Sequence, residues 1–116
     1  LNKDNKERKL IAQNYQKKIN NKKIILPQVV KGSNHVYHLF VIRVKARNKL
    51  LNIMKKKRIA CGIHYKLPLH NQKIFEKYKS NLKITNKISK EILSIPIYPG
   101  LSKKIQSKVI NILNNY

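Results

Sequence analysis

The run HVYHLFVIRV, from His35 to Val44, decides how the rest of the chain can fold. It is rich in β-branched and aromatic residues and reads as the clearest strand in the sequence. Alternation puts Val36, Phe40, Ile42 and Val44 on one side, and Tyr37, Leu39 and Val41 on the other. A strand that is apolar on both sides is expected to sit centrally, covered above and below over much of its length. The expected architecture is a small sheet with helices over it, an α+β fold.

Working outward, residues 46–57 predict a helix with Leu50, Ile53 and Met54 inward and lysines outward. A second strand is expected from Ile59 to Tyr65, interrupted at Gly62. The stretch GIHYKLPLHNQ, Gly62 to Gln72, then presents His64 and Tyr65 side by side, turns at Pro68 and enters a helix near His70. Ile74, Phe75 and Tyr78 predict a helix over Asn71 to Tyr78, followed by a loop over residues 79–83. Thr85 is the expected N-cap of a helix running through Leu93, with Ile88 and Ile92 as its apolar face. Ile95 to Gly100 must be extended, because Pro96 and Pro99 forbid a helix there. Ser102 is expected to cap a last helix with Ile105, Val109, Ile112 and Leu113 buried. On the other side of the central run, residues 1–20 predict a helix. Its stripe comes from Leu10 or Ile11, then Tyr15 and Ile19. Ile24-Ile25-Leu26 is a short apolar run that offers an extra strand. Lys31 to Asn34 is a loop by its residue types.

At 116 residues the chain holds one domain, with 41% hydrophobic residues to fill a modest core. No run approaches the roughly 18 apolar residues of a membrane span. The first 20 residues are polar and charged and do not read as a signal peptide. The lone cysteine, Cys61, cannot form an internal disulfide, which leads us to expect a reducing, cytoplasmic setting. The chain opens at Leu1 inside a helical pattern. It is therefore read as the end of a longer protein or one product of a split reading frame.

The net charge of +23 admits two explanations. Lysines that neutralise phosphates would make a nucleic-acid-binding module. Biased composition would give the same number, since lysine, isoleucine and asparagine share AT-rich codons. The basic residues are spread along the whole chain apart from Lys55-Lys56-Lys57-Arg58, and only four of the 27 are arginine. Arginine is the residue suited to bidentate readout. Only salt-sensitive, non-specific association with nucleic acid is expected.

Most catalytic chemistries lack their residues. His35 and His38 are three apart, as are Cys61 and His64; on strands such residues point to opposite faces and chelate poorly, so no metal site is expected. Cys61 reads as a small core residue and not as a nucleophile. The four acids, Asp4, Glu7, Glu76 and Glu91, fall on helix faces expected to be exposed, leaving no carboxylate pair. Gly32, Gly62 and Gly100 stand alone and form no phosphate loop. There remain His64 and Tyr65, whose imidazole and phenol can both hydrogen-bond a sugar hydroxyl or a phosphate. A strand end with a satisfied histidine and a packed tyrosine would look the same in sequence.

HVYHLFVIRV, GIHYKLPLHNQ and EILSIPIYPGLS, in this order and at these separations, resemble the C-terminal part of the DegT/DnrJ family. These are pyridoxal-phosphate-dependent nucleotide-sugar aminotransferases of the aspartate aminotransferase fold (fold-type I). The matching positions are His38, Ile63, His64, Tyr65, Pro68, His70, Gln72, Leu93, Ser94, Pro96 and Pro99. Arg8, Ala12 and Tyr15 fit the family's helix leading into its small domain. Three residues depart from the pattern: Lys66 stands for a proline, Arg58 for a glycine and Asn86 for an acid.

The resemblance implies that residues 1–116 are the C-terminal small domain of a larger enzyme, with 1–21 as the helix leading in from the large domain. In the family a large-domain lysine carries pyridoxal phosphate while an amino group moves from glutamate to a keto-sugar nucleotide. No lysine here matches that motif. The resemblance therefore implies no catalytic or cofactor-binding residue in this chain, and His64 and Tyr65 as substrate-binding residues. It also implies a large-domain partner, in cis or as a separate chain, and a homodimer in the complete enzyme. An inactive remnant of such an enzyme is the remaining alternative.

Overall fold

The computed structural model describes residues 1–78 and 80–116. Helix α1 spans Asn2–Lys18. Of the two registers its sequence allowed, the structure takes the one that buries Ile11, Ala12 and Tyr15 and leaves Leu10 66% exposed. Tyr15 anchors the helix. Its ring meets Phe40 edge-on with centroids 5.2 Å apart, and its hydroxyl donates to the Pro96 carbonyl at 2.9 Å.

Strand β1 is Phe40–Arg43 and strand β2 is Ile92–Ile95. They pair antiparallel, with Phe40 opposite Ile95 and Ile42 opposite Leu93. Ile25 bridges Arg43 on the outer side of β1, and Gly62 bridges Ser94 on the outer side of β2. The ladder therefore has four members in the order Ile25, β1, β2, Gly62. Phe40, Ile42, Leu93 and Ile95 point into one core with Tyr15, Leu50, Met54, Val109 and Leu113. The fold is the expected α+β arrangement, a small sheet with helices packed on it.

Helix α2 covers Arg47–Lys56 and buries Leu50 and Met54. Its end is a Schellman motif: Ile59 N–H bonds the Met54 carbonyl and Arg58 N–H the Lys55 carbonyl, both at 2.9 Å. Arg58 takes the left-handed position at φ 58°, which a Cβ disfavours. Two short 3₁₀ turns, Leu69–Asn71 and Lys73–Tyr78, lead to helix α3, Lys83–Glu91. Helix α4 spans Lys103–Asn114, with the Ser102 hydroxyl accepting from Ile105 N–H at 3.3 Å as the cap expected there. Asn114 ties the end of α4 to the end of α1 by accepting from Asn20 N–H and donating to the Lys18 carbonyl.

Several expectations need correction. The first strand begins at Phe40 and not at His35. Tyr37 turns the backbone to φ 51°, and its N–H bonds His35 Nδ1 at 2.8 Å instead of a neighbouring strand. Strand pairing over Ile59–Tyr65 is confined to Gly62, because the chain turns away at His64. Asn71–Tyr78 forms no α-helix: Ile74 and Tyr78 have no core to face and remain 76% and 66% exposed. The third helix starts before Thr85 and ends at Glu91. Leu93 belongs to β2, where pairing with Ile42 outweighs its helical neighbourhood. Residue 79, the first of the expected 79–83 loop, lies outside the described residues. Glu91 is buried and not exposed; it pairs with Arg43 Nη2 at 2.8 Å.

Candidate functional site

The Gly62–Ser94 bridge builds the site. Gly62 and Ser94 exchange both backbone hydrogen bonds, at 3.0 and 2.8 Å, so the chain leaving Gly62 starts from a fixed point on the sheet. Two residues later the His64 ring folds back over Gly62. A Cβ at position 62 would lie 2.5 Å from His64 Cε1, closer than two carbons can approach. The missing side chain is thus what lets the imidazole settle, and Nδ1 comes within 2.9 Å of Ser94 Oγ. Ser94 is buried in the middle of β2 and has this ring as its side-chain partner. One ring nitrogen is held by the sheet, while the residue as a whole stays exposed.

Tyr65 follows across a cis peptide and meets the His64 ring edge-on, with centroids 5.7 Å apart and planes at 83°. Its side chain is 76% exposed and lines an open groove of about 530 Å³. Leu67, Leu69, Ile88 and Ile92 make the groove apolar, and Gln72, Thr85 and Ser89 add polar groups. The loop forming one wall is pinned to α3. His70 Nε2 and Asn71 Nδ2 both meet Asn86 Oδ1 at 2.9 Å.

The structure thus brings His64 and Tyr65 together on an accessible rim. Sequence reasoning missed Ser94 and Gly62 as the parts that place them. A signal existed for Ser94: a lone hydroxyl inside the apolar strand ILSI must find a partner if it is buried. The other histidines do not join the site. His35 serves Tyr37, and His70 is held by Asn86. Cys61 is half-buried, and burial pushes its thiol from the ordinary value of 9.0 up to about 11, away from nucleophile chemistry. Among the described residues, no three His, Cys, Asp or Glu side chains gather as a metal site.

No described lysine fits the Schiff-base role that pyridoxal phosphate needs. A Schiff-base lysine needs a desolvated amine, and the ring nitrogen needs an acid or arginine partner. Every described lysine is exposed except Lys9, which is half-buried and donates to Asn34. Glu91 is engaged by Arg43, and Glu7 accepts from Gly100 N–H. No step through that cofactor is derived from this chain.

The model of the DegT/DnrJ/EryC1/StrS aminotransferase family matches residues 1–114. The dTDP-3-amino-3,6-dideoxy-alpha-D-galactopyranose transaminase of Aneurinibacillus thermoaerophilus is 36% identical over 117 residues, covering 100% of this chain and 32% of that protein. The pleiotropic regulatory protein of Geobacillus stearothermophilus is 37% identical over 90 residues, covering 75% of this chain and 24% of that one. The chain therefore spans between a quarter and a third of the length of these curated relatives. Among solved structures, a DegT DnrJ EryC1 StrS aminotransferase from Brucella abortus superposes with a TM-score of 0.89 at 24% identity, over 97% of this chain and 31% of that one. NtdA from Bacillus subtilis, solved with bound cofactor PMP, gives 0.85 at 26%, over 97% and 28%. The small helix-covered sheet is thus the fold of one part of the fold-type I aminotransferases. The chain belongs to the DegT/DnrJ/EryC1/StrS aminotransferase family.

Proposed function

We propose that residues 1–116 are the C-terminal small domain of a sugar aminotransferase and form one wall of its active-site cleft. The domain that holds pyridoxal phosphate is a partner, in cis or as a separate chain, and the complete enzyme is a cytoplasmic homodimer. The substrate is a nucleotide-linked keto-sugar, aminated at the expense of glutamate. This chain by itself performs no transamination.

One observation carries the reading: an imidazole held from behind by Ser94 Oγ and Gly62, beside an exposed phenol at a groove mouth. A histidine fixed through Nδ1 can offer Nε2 to a sugar hydroxyl or phosphate oxygen with little rotamer entropy left to lose. The Tyr65 hydroxyl adds a second polar contact. Between His64 and Ile84 the chain also shows Tyr65, Leu67, Leu69, Ile74, Tyr78 and Ile84 at half exposure or more. Large apolar side chains exposed in such number are a common mark of a surface that meets another protein. The large domain, which would supply the remaining length of the relatives, is the occupant we assign to it.

The test is His64→Ala in the complete enzyme containing this chain. Losing one charged or polar contact costs about 1–3 kcal/mol, so kcat/KM for the nucleotide sugar should fall roughly 5- to 150-fold. Cofactor absorbance should be unchanged. Unaltered kinetics would remove His64 from the substrate site. Loss of the cofactor spectrum would make its role structural.

A further inference from the structure

The opposite edge of the ladder, beyond Ile25, carries a second concavity that the sugar-transfer reading does not use. It has a volume of about 560 Å³ and is lined by Lys22, Lys23, Arg43, Lys45, Lys49 and Lys87. Glu91 is the one carboxylate side chain in the lining, and it is already engaged by Arg43 at 2.8 Å. Val44, Lys45 and Ala46 bring the start of α2 into the wall. The first turn of α2 has no acidic residue and no side-chain cap, so its free N–H groups add positive potential to that of the lysines. The Tyr116 hydroxyl donates to the Ala46 carbonyl at 3.1 Å and closes the wall beside that turn.

With Arg43 compensated by Glu91 and Lys23 donating to the Tyr116 main-chain oxygen at 3.4 Å, Lys22, Lys45, Lys49 and Lys87 remain as cations that repel one another around the cavity. A compact, multiply charged anion relieves that repulsion. Lysine ammonium groups act as point donors suited to phosphate oxygens. We propose that this cavity binds a small anion carrying two or more phosphate charges. The site is independent of His64 and the Tyr65 groove, so either reading can fail without the other.

The test is calorimetry of the 116-residue chain with inorganic pyrophosphate near physiological ionic strength. One pyrophosphate should bind per chain. The triple variant Lys45→Gln, Lys49→Gln, Lys87→Gln should bind at least about tenfold more weakly, since each ammonium acts within a Debye length of the anion. The charge-matched triple Lys17→Gln, Lys104→Gln, Lys108→Gln lies outside the cavity and should change affinity by less than about twofold. All six lysines are exposed, so both triples should keep the native circular dichroism. A single reversal, Lys49→Glu, should weaken binding far more than Lys108→Glu. Equal weakening in the two triples would overturn the proposal, as would unsaturable binding of several pyrophosphates per chain. Either result would show the attraction to be the diffuse field of a lysine-rich surface.

Discussion

Two regions of this molecule use similar apolar residues to opposite ends. Around β1, β2, α1 and α4, the side chains of Tyr15, Phe40, Ile42, Leu93, Val109 and Leu113 lose essentially all contact with water. From Ala60 to Ile88, no described residue is fully buried. Tyr65, Leu69, Ile74, Tyr78 and Ile84 are 66–76% exposed. The difference lies in what the backbone offers. The first region has a paired ladder whose alternation aims one face at three helices. The second is a turn, two 3₁₀ pieces and the start of α3, tied down at Gly62, by Cys61 and Ile63 against the core, and through His70 and Asn71 to α3. The first region makes the fold, and the second packs Cys61 and Ile63 against it but leaves Tyr65, Leu69, Ile74, Tyr78 and Ile84 on its surface.

That contrast should show most in stability. Phe40→Ala empties a site at the centre of the core and should cost about 3–5 kcal/mol, enough to unfold a marginal domain. Ile74→Ala, a comparable loss of apolar bulk on the other region, should change the stability of this chain by less than about 0.5 kcal/mol. Denaturant unfolding of both variants checks the pair. Equal costs would erase the distinction.

Gly62→Ala is the variant that joins the two regions. The added methyl must displace the His64 ring, breaking the contact with Ser94 Oγ while the β1–β2 pairing remains. Nitrogen-15 spectra of the imidazole should show altered Nδ1 and Nε2 shifts, with a stability loss of about 1–3 kcal/mol from the buried hydroxyl left without a partner. Ser94→Ala should produce the same imidazole change and Ser94→Thr should restore it. An unmoved imidazole signal in both Gly62→Ala and Ser94→Ala would mean the sheet does not position His64.

Arg58→Gly acts on the core side. Arg58 occupies a left-handed position that glycine takes without strain, so the substitution should stabilise the chain by about 1 kcal/mol, read as a higher melting temperature. A decrease would mean the arginine side chain contributes more than its backbone costs.

The smallest effect is with pH. Burial raises the Cys61 thiol from 9.0 to about 11 and raises the Tyr15 phenol as well, chiefly by desolvation, with smaller contributions from the nearby Cys61 and Tyr98. A raised folded-state value means the native state holds more protons than the unfolded one above pH 9, so stability should fall as pH climbs from about 9 towards 11. Cys61→Ala should flatten the start of that decline, and an unchanged profile would assign it to Tyr15.

How much of this was legible in the sequence divides along the same line. The Ser102 cap, Val109 and Leu113 of the α4 stripe and the inward set of Phe40, Ile42 and Val44 follow from local rules, and the structure has them. Ile105 and Ile112 are only partly buried, and Ile110 and Gln106 are buried beside them. The register of α1 was open between Leu10 and Ile11, because both alternatives give a stripe until Phe40 is there to receive Tyr15. Leu93 read as the end of a helix, since its pairing with Ile42 is a long-range fact. Tyr37 hid its turn, because a positive φ in a β-rich run leaves no mark when the residue is not glycine. At the site, the adjacency of His64 and Tyr65 was plain. The contact that aims His64 depends on Gly62 lying opposite Ser94, and no local pattern specifies that register. The half-buried Arg43–Glu91 pair was invisible for the same reason.

The most direct test of the central claim is amide hydrogen exchange of this chain, alone and assembled with the large aminotransferase domain. The account predicts fast exchange over residues 64–78 in the isolated chain and marked slowing there on assembly, with slow exchange in β1 and β2 in both states. Residues 64–78 exchanging at the same rate with and without that domain would contradict it.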